Sequence, residues 1–163
     1  GSPLQLLCVG TLIPRKGHEL LLRALAAQRF RHWHLHCIGS LERDRDEARR
    51  LLTLRDALGL AAQVSFHGEV PEPRLQQAMQ SADLFVIAAW YEGYGMAVAE
   101  ALASGLPVVT TAVGAAPALL GATDPADAPW ARAGRGRRRP AAGRRPAVGW
   151  SPAPAGRVWS RRW

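Results

Sequence analysis

A chain of 163 residues with a formal net charge of +8 and two cysteines has the length of one domain and too few thiols for a disulfide scaffold. The charge is uneven: residues 1–127 hold 11 Lys and Arg against all 13 Asp and Glu, whereas residues 128–163 hold ten Arg and no acid. A near-neutral body excludes a uniformly basic polyanion binder, and the absence of a bilayer-length apolar run or a charged-then-apolar leader leaves a soluble, cytoplasmic protein as the expectation, with peripheral membrane association still compatible with it.

In chain order, Leu4 to Val9 is a short apolar run closed by Gly10, which predicts a buried strand. Pro14-Arg15-Lys16-Gly17 follows as a loop. Leu20, Leu21, Leu22 and Leu25 then recur at helical spacing, with Glu19, Arg23 and Gln28 outside. His18 stands at the start of that helix beside Lys16 and reads as a helix-start residue rather than a base. Trp33 to Ile38 predicts a second strand closed by Gly39-Ser40, and Glu42 to Leu58 a charged helix stopped by Gly59. Its run Glu42 to Arg50 reads as a solvated face.

Val64 to Phe66 is a short third strand before Gly68. Pro71 to Ser81 fits a helix with Leu75, Ala78 and Met79 inward, and Leu84 to Ala88 is a β-prone fourth strand. Met96 to Ala103 is helical up to Ser104-Gly105, and Leu106 to Thr110 is a fifth strand. Strands that are continuous apolar runs and alternate with helices predict an α/β fold, a Rossmann-like parallel sheet with helices on both faces. Such sheets bind ligands at the carboxyl ends of their strands. Gly10–Gly17, Gly39-Ser40, Gly68–Val70 and Tyr91–Gly95 all fall on that edge.

Three further features have plain readings. Cys8 and Cys37 each lie in an apolar run and read as buried thiols in a reducing compartment. His32, His34 and His36 alternate and so share one strand face; with no acid or Cys on that face, packing against helices is favoured over metal ligation. From Ala128 onward the chain uses only Ala, Pro, Trp, Arg, Gly, Val and Ser. Residues 121–163 are therefore expected to form a disordered tail apart from a domain over 1–120. The seven residue types are those of GC-rich codons, so a shift of reading frame between Ala118 and Pro129 is the favoured origin. The alternative is an arm whose Arg side chains neutralise phosphates and whose Trp side chains stack on bases.

The chemistry concentrates in YEGYGMAVAEALA, residues 91–103. Glu100 sits in a helix that is apolar on every side, where an ionised carboxylate costs several kcal/mol unless it is fully hydrogen-bonded. Two vicinal hydroxyls of a ligand would satisfy it. Glu92 precedes the helix, and between the two acids Gly93 and Gly95 let backbone N–H groups approach a ligand at the positive end of a helix dipole. The pattern suits a molecule with hydroxyls at both ends and a negative centre, such as a nucleotide sugar. A salt bridge from Glu100 to an Arg, with Gly-Tyr-Gly as a tight turn, explains the same spacing.

Residues 92–111, EGYGMAVAEALASGLPVVTT, resemble the E-x-seven-E signature of retaining glycosyltransferases of the GT-B fold, the group 1 or family-four type. VGTLIPRKGHELLLRAL at 9–25 resembles the first strand, loop and helix of their C-terminal donor-binding domain, and CIGS at 37–40 and FHGEV at 66–70 resemble later parts of it. The resemblance covers about residues 4–120, in the family's order. It implies transfer of a sugar, with retention, from a UDP- or GDP-linked donor to an acceptor such as a glycan or lipid, with no cofactor beyond the donor.

By the same resemblance Glu92 would contact the hydroxyls of the transferred sugar. Gly93, Tyr94, Gly95 and Met96 would present backbone N–H groups, and Glu100 would hold the ribose diol. Lys16 and Arg15 would neutralise the diphosphate in place of a metal. Gly10 would be among the donor-binding residues, and Val70 would lie near the base through its backbone. Thr11 stands where family members often carry Arg. The family's first domain, with its acceptor site and a histidine, has no counterpart in these residues, so a missing N-terminal domain is an expected partner and the chain alone is expected to be inactive. A non-catalytic nucleotide-binding module and a nucleic-acid binder using the Arg-rich tail are the alternatives; nucleic acid is the less favoured partner.

Overall fold

The computed structural model describes residues 2–30, 32–111 and 113–119; the expected tail over 121–163 lies outside them. Five strands form one parallel sheet in the order β3-β2-β1-β4-β5, with β1 Leu4–Val9, β2 Trp33–Ile38, β3 Val64–Phe66, β4 Leu84–Ile87 and β5 Val108–Thr110. The helices are α1 His18–Ala26, α2 Arg45–Ala57, α3 Glu72–Ser81, α4 Met96–Ala103 and a short α5 Ala116–Leu119, the last unforeseen in the sequence. Among the described residues no helix is long and apolar enough to cross a membrane.

Strand order reverses after β3, because β4 returns to pair with the far side of β1. Right-handed crossovers then put α1 and α2 on one face and α3 and α4 on the other. Side chains alternate accordingly. Cys8 meets His18 of α1 on one side, while Gln5, Leu7 and His36 line a hollow under α3 on the other. The core is built from Leu6, Leu7, Leu35, Leu51, Phe85 and Val108 with their neighbours, all almost fully buried.

Where boundaries differ from the sequence expectation, local chemistry sets them. α2 begins at Arg45 rather than Glu42, because the Asp44 carboxylate accepts the Glu47 amide at 2.9 Å and caps the helix there. Pro71 is the cap of α3 instead of its first residue. β5 starts after Pro107, which has no N–H for the ladder but whose carbonyl accepts the Phe85 amide at 2.8 Å. Glu47, within the run expected to be solvated, is buried and held by two Arg50 hydrogen bonds. Both cysteines are buried and free, as expected.

Candidate functional site

The reversal of strand order sets the loops that follow β1 and β4 side by side, at the switch point where open α/β sheets hold ligands in a crevice. Two links close these loops on each other. The Arg15 carbonyl, in a 3₁₀ turn over Pro14–Lys16, accepts the Trp90 amide at 2.8 Å and the Tyr91 amide at 3.4 Å. Beside it Lys16 Nζ donates to Glu92 Oε2 at 2.7 Å. The two side chains are only 16% and 14% exposed, so each has lost most of its water and depends on the other. The methylenes of Lys16 run along the backbone at Gly10, with Cδ 3.5 Å from where a Cβ would stand.

Arg15 itself is exposed, its guanidinium 5.9 Å from the centroid of the Tyr91 ring. Among the described residues it makes no ion pair, so it is the uncommitted cation of the crevice. Gly93 is exposed, and Gly95, with φ 64°, is the helix cap and brings no side chain to the first amides of α4. Tyr94 is 88% exposed and Met96 69% exposed. Trp90 and Tyr91 are exposed too, which makes an aromatic rim.

Glu100 does not lie where the sequence argument put it. α4 buries Val98 and Ala101, while Glu100 and Met96 face solvent. An eight-residue helix covering one end of a sheet needs only one buried stripe; the remaining Ala and Met positions are apolar without being core. Glu100 therefore pays no burial cost, and among the described residues it makes no ion pair. Its exposure overturns the expectation of a buried carboxylate.

Further along the same edge, Gly10, Thr11, Gly39, Ser40, Glu69 and Val70 help to line a cleft of about 350 Å³ at the ends of β1 and β2. Its floor is backbone against backbone: a Cβ on Gly39 would stand 2.0 Å from the Gly10 carbonyl oxygen. The Gly39 amide donates to the Gly68 carbonyl at 2.9 Å, which brings the loop carrying Val70 alongside. The structure thus gathers Lys16, Arg15 and Glu92 at the crevice and Gly10 with Val70 in the adjacent cleft, and leaves Glu100 on the outer face of α4. A second hollow, of about 240 Å³ under α3, lies off the strand ends and shares only Val70 with the predicted site.

Two residues that shape the site were not singled out from the sequence. Trp90 supplies the amide that docks on Arg15. Gly114, with φ 55°, backs Glu92 so closely that a Cβ would fall 1.3 Å from the Glu92 carbonyl oxygen. A glycine shortly after a strand was the only available signal for it. Of the three alternating histidines, His32 is exposed and precedes β2, while the other two bond across to β3 and the loop after it instead of to a helix: His34 Nε2 meets Ser65 Oγ at 2.9 Å, and His36 Nδ1 meets His67 Nε2 at 2.9 Å.

Comparison with known proteins shows the family and the fold. The profile of the family described as "Glycosyl transferases group 1" matches residues 3–129. The chain is 37% identical over 111 residues to mannosylfructose-phosphate synthase of Agrobacterium fabrum, covering 64% of this chain and 24% of that one. Sucrose-phosphate synthase from Thermosynechococcus elongatus superposes with a TM-score of 0.63 at 32% identity, over 69% of this chain and 29% of that one. Anabaena Alr3699/HepE, solved in complex with UDP and glucose, superposes with a TM-score of 0.64 at 29% identity, over 71% of this chain and 31% of that one. The fold is the Rossmann-like half of a GT-B architecture. The chain spans about a quarter of the length of the first of these relatives.

Proposed function

Because the chain belongs to the group 1 glycosyl transferases, we propose that it is the donor-binding half of a retaining glycosyltransferase that uses a UDP- or GDP-linked sugar. The observation that carries this reading is the Lys16–Glu92 pair bridging the two loops at the strand reversal. A diphosphate entering the crevice offers Lys16 a stronger anionic partner and releases the Glu92 carboxylate to accept sugar hydroxyls. The ion pair is thus a placeholder for both ends of the donor's reacting group. Arg15 reinforces the charge, and together the two cations stabilise the diphosphate as it leaves.

The amides of Gly93, Tyr94, Gly95 and Met96 lie at the start of α4, where the helix dipole favours negative charge. Gly10 and Val70 line the adjacent cleft, which in this reading takes the nucleoside. Glu100, being exposed, would reach the ribose diol from the rim, and its place in the reading rests on the family resemblance. No metal is needed for this division of charge. The acceptor, a glycan or lipid, would be held by a first domain facing the rim of Trp90, Tyr91 and Tyr94. UDP and glucose bound by a structural neighbour support the ligand class.

The test is a thermal-shift screen of the 163-residue protein against UDP, GDP and their sugars, alongside Lys16→Ala and Glu100→Ala. Stabilisation by one nucleotide family, lost in Lys16→Ala, is the expected result. No shift with any nucleotide, in a protein that unfolds cooperatively, rejects the reading. Transfer measured after adding an N-terminal domain separates an enzyme half from a non-catalytic nucleotide-binding module, which would be stabilised but never turn over.

A further inference from the structure

Three buried side chains that the donor site does not use converge beneath the start of α1. Cys8 and Cys37 are register partners on the parallel strands β1 and β2, so their side chains leave the same face of the sheet side by side. His18, the first residue of α1, closes over them, with Nε2 3.8 Å from Cys8 Sγ. One ligand atom from each of the three lies within 4.8 Å of the other two. All are shut off from solvent: both cysteines are 1% exposed and His18 is 2% exposed. The imidazole is poorly satisfied for so buried a group, because Nδ1 has no hydrogen-bond partner and Nε2 meets only the sulfur.

We propose that Cys8, Cys37 and His18 form a closed binding site for one thiophilic d¹⁰ metal ion, Zn²⁺ or Cu⁺. Two sulfurs and an imidazole nitrogen are the donor set that selects these ions over hard cations. Metal–sulfur bonds of about 2.3 Å and metal–nitrogen bonds of about 2.0 Å put ligand atoms roughly 3.5–4 Å apart. The ligand atoms lie within 4.8 Å of one another, so the cluster needs to close by about 1 Å to reach that spacing. Charge also fits the burial. Zn²⁺ displaces one proton from each thiol to solvent and leaves two thiolates, one neutral imidazole and one dication, with no net charge in the core.

The ion would tie the first residue of α1 to the two central strands. His18 stands two residues beyond Lys16, so loading clamps the loop that carries the crevice cation. The inference does not depend on the donor reading, and its test uses no nucleotide.

The reduced, metal-stripped 163-residue protein is titrated anaerobically with Co²⁺ as a spectroscopic stand-in for Zn²⁺. A near-ultraviolet thiolate-to-cobalt band should saturate at one equivalent. It should vanish in Cys8→Ser and in Cys37→Ser, weaken in His18→Gln and persist unchanged in His36→Gln. Zn²⁺ should displace the Co²⁺, release two protons in weak buffer and raise Tm. Competition against a Cu⁺ chelator then decides which ion binds more tightly. Should a Ser variant fail to fold, alkylation of wild-type protein replaces it: the bound ion must slow modification of both thiols. Failure of both Co²⁺ and Cu⁺ to bind at one equivalent overturns the proposal. So does uptake that survives loss of both cysteines, which would belong to the exposed His36–His67 pair, and so does alkylation that the metal leaves unchanged.

Discussion

Lys16 Nζ lies 2.7 Å from Glu92 Oε2, joining loops 76 residues apart in sequence. If the pair holds the place of a donor, removing one partner should free the other rather than simply weaken binding. Glu92→Gln is expected to tighten binding of UDP, which has no sugar for Glu92 to hold, by about three- to tenfold, or up to about 1.4 kcal/mol. Lys16→Ala should weaken it about tenfold or more. Calorimetric titration of both variants reads the two signs. Weaker UDP binding in Glu92→Gln would show that the acid does not compete with phosphate for Lys16.

Glu100 gives a prediction of a different kind, because stability and binding should separate. The side chain is exposed, and exposed substitutions away from special features usually stay within about 0.5 kcal/mol. Glu100→Ala should therefore leave Tm almost unchanged. It should also erase the preference for UDP over its 2′,3′-dideoxy analogue. If the variant discriminates between the two as well as wild type does, Glu100 has no part in holding the ribose.

Much of the fold was legible because it depends on local patterns. Continuous apolar runs such as Leu84–Ile87 can bury themselves only in a sheet covered on both faces, and glycines after Val9 and Ile38 mark the strand ends. The exposure of Glu100 is not legible, because the apolar composition of a helix does not by itself mean burial. Ala97 and Ala99 are apolar, yet they are only partly buried, because α4 buries a single stripe through Val98 and Ala101. The shared edge of Lys16 and Glu92 is legible in the sequence, but their direct bond and the Cys8–His18–Cys37 cluster are not. Both arise from strand order and register, which no single stretch of sequence encodes.

Gly114 tests how far Glu92 depends on the chain behind it. Alanine there must adopt a left-handed backbone, at roughly 1–2 kcal/mol, and must also push the Glu92 carbonyl away, since its Cβ would fall 1.3 Å from that oxygen. Gly59 is the matched control: its φ is 68°, but nothing lies within 4 Å of a Cβ placed there. Gly59→Ala should cost about 1 kcal/mol and spare nucleotide binding, whereas Gly114→Ala should cost at least about 2 kcal/mol and weaken binding as well. Chemical denaturation with a binding assay compares them; equal losses in both variants would mean that Gly114 does not position Glu92.

Acid should destabilise the protein through the histidines on the sheet face under α3. Partial desolvation holds His36 and His67 below the ordinary imidazole value, although the pair stays open to solvent, and positive neighbours act in the same direction, His34 and His67 on the first and His34 and Arg74 on the second. Their mutual hydrogen bond needs a lone pair on one ring. A base whose folded pKa is depressed binds protons more readily when unfolded. Its contribution is intact above the unfolded value of about 6.5 and is lost as pH falls below that towards the folded value. Tm should decline as pH falls below about 6.5, and His36→Gln, which removes one titrating ring and relieves the other, should flatten the decline. An identical slope in the variant would place the acid sensitivity elsewhere in the molecule.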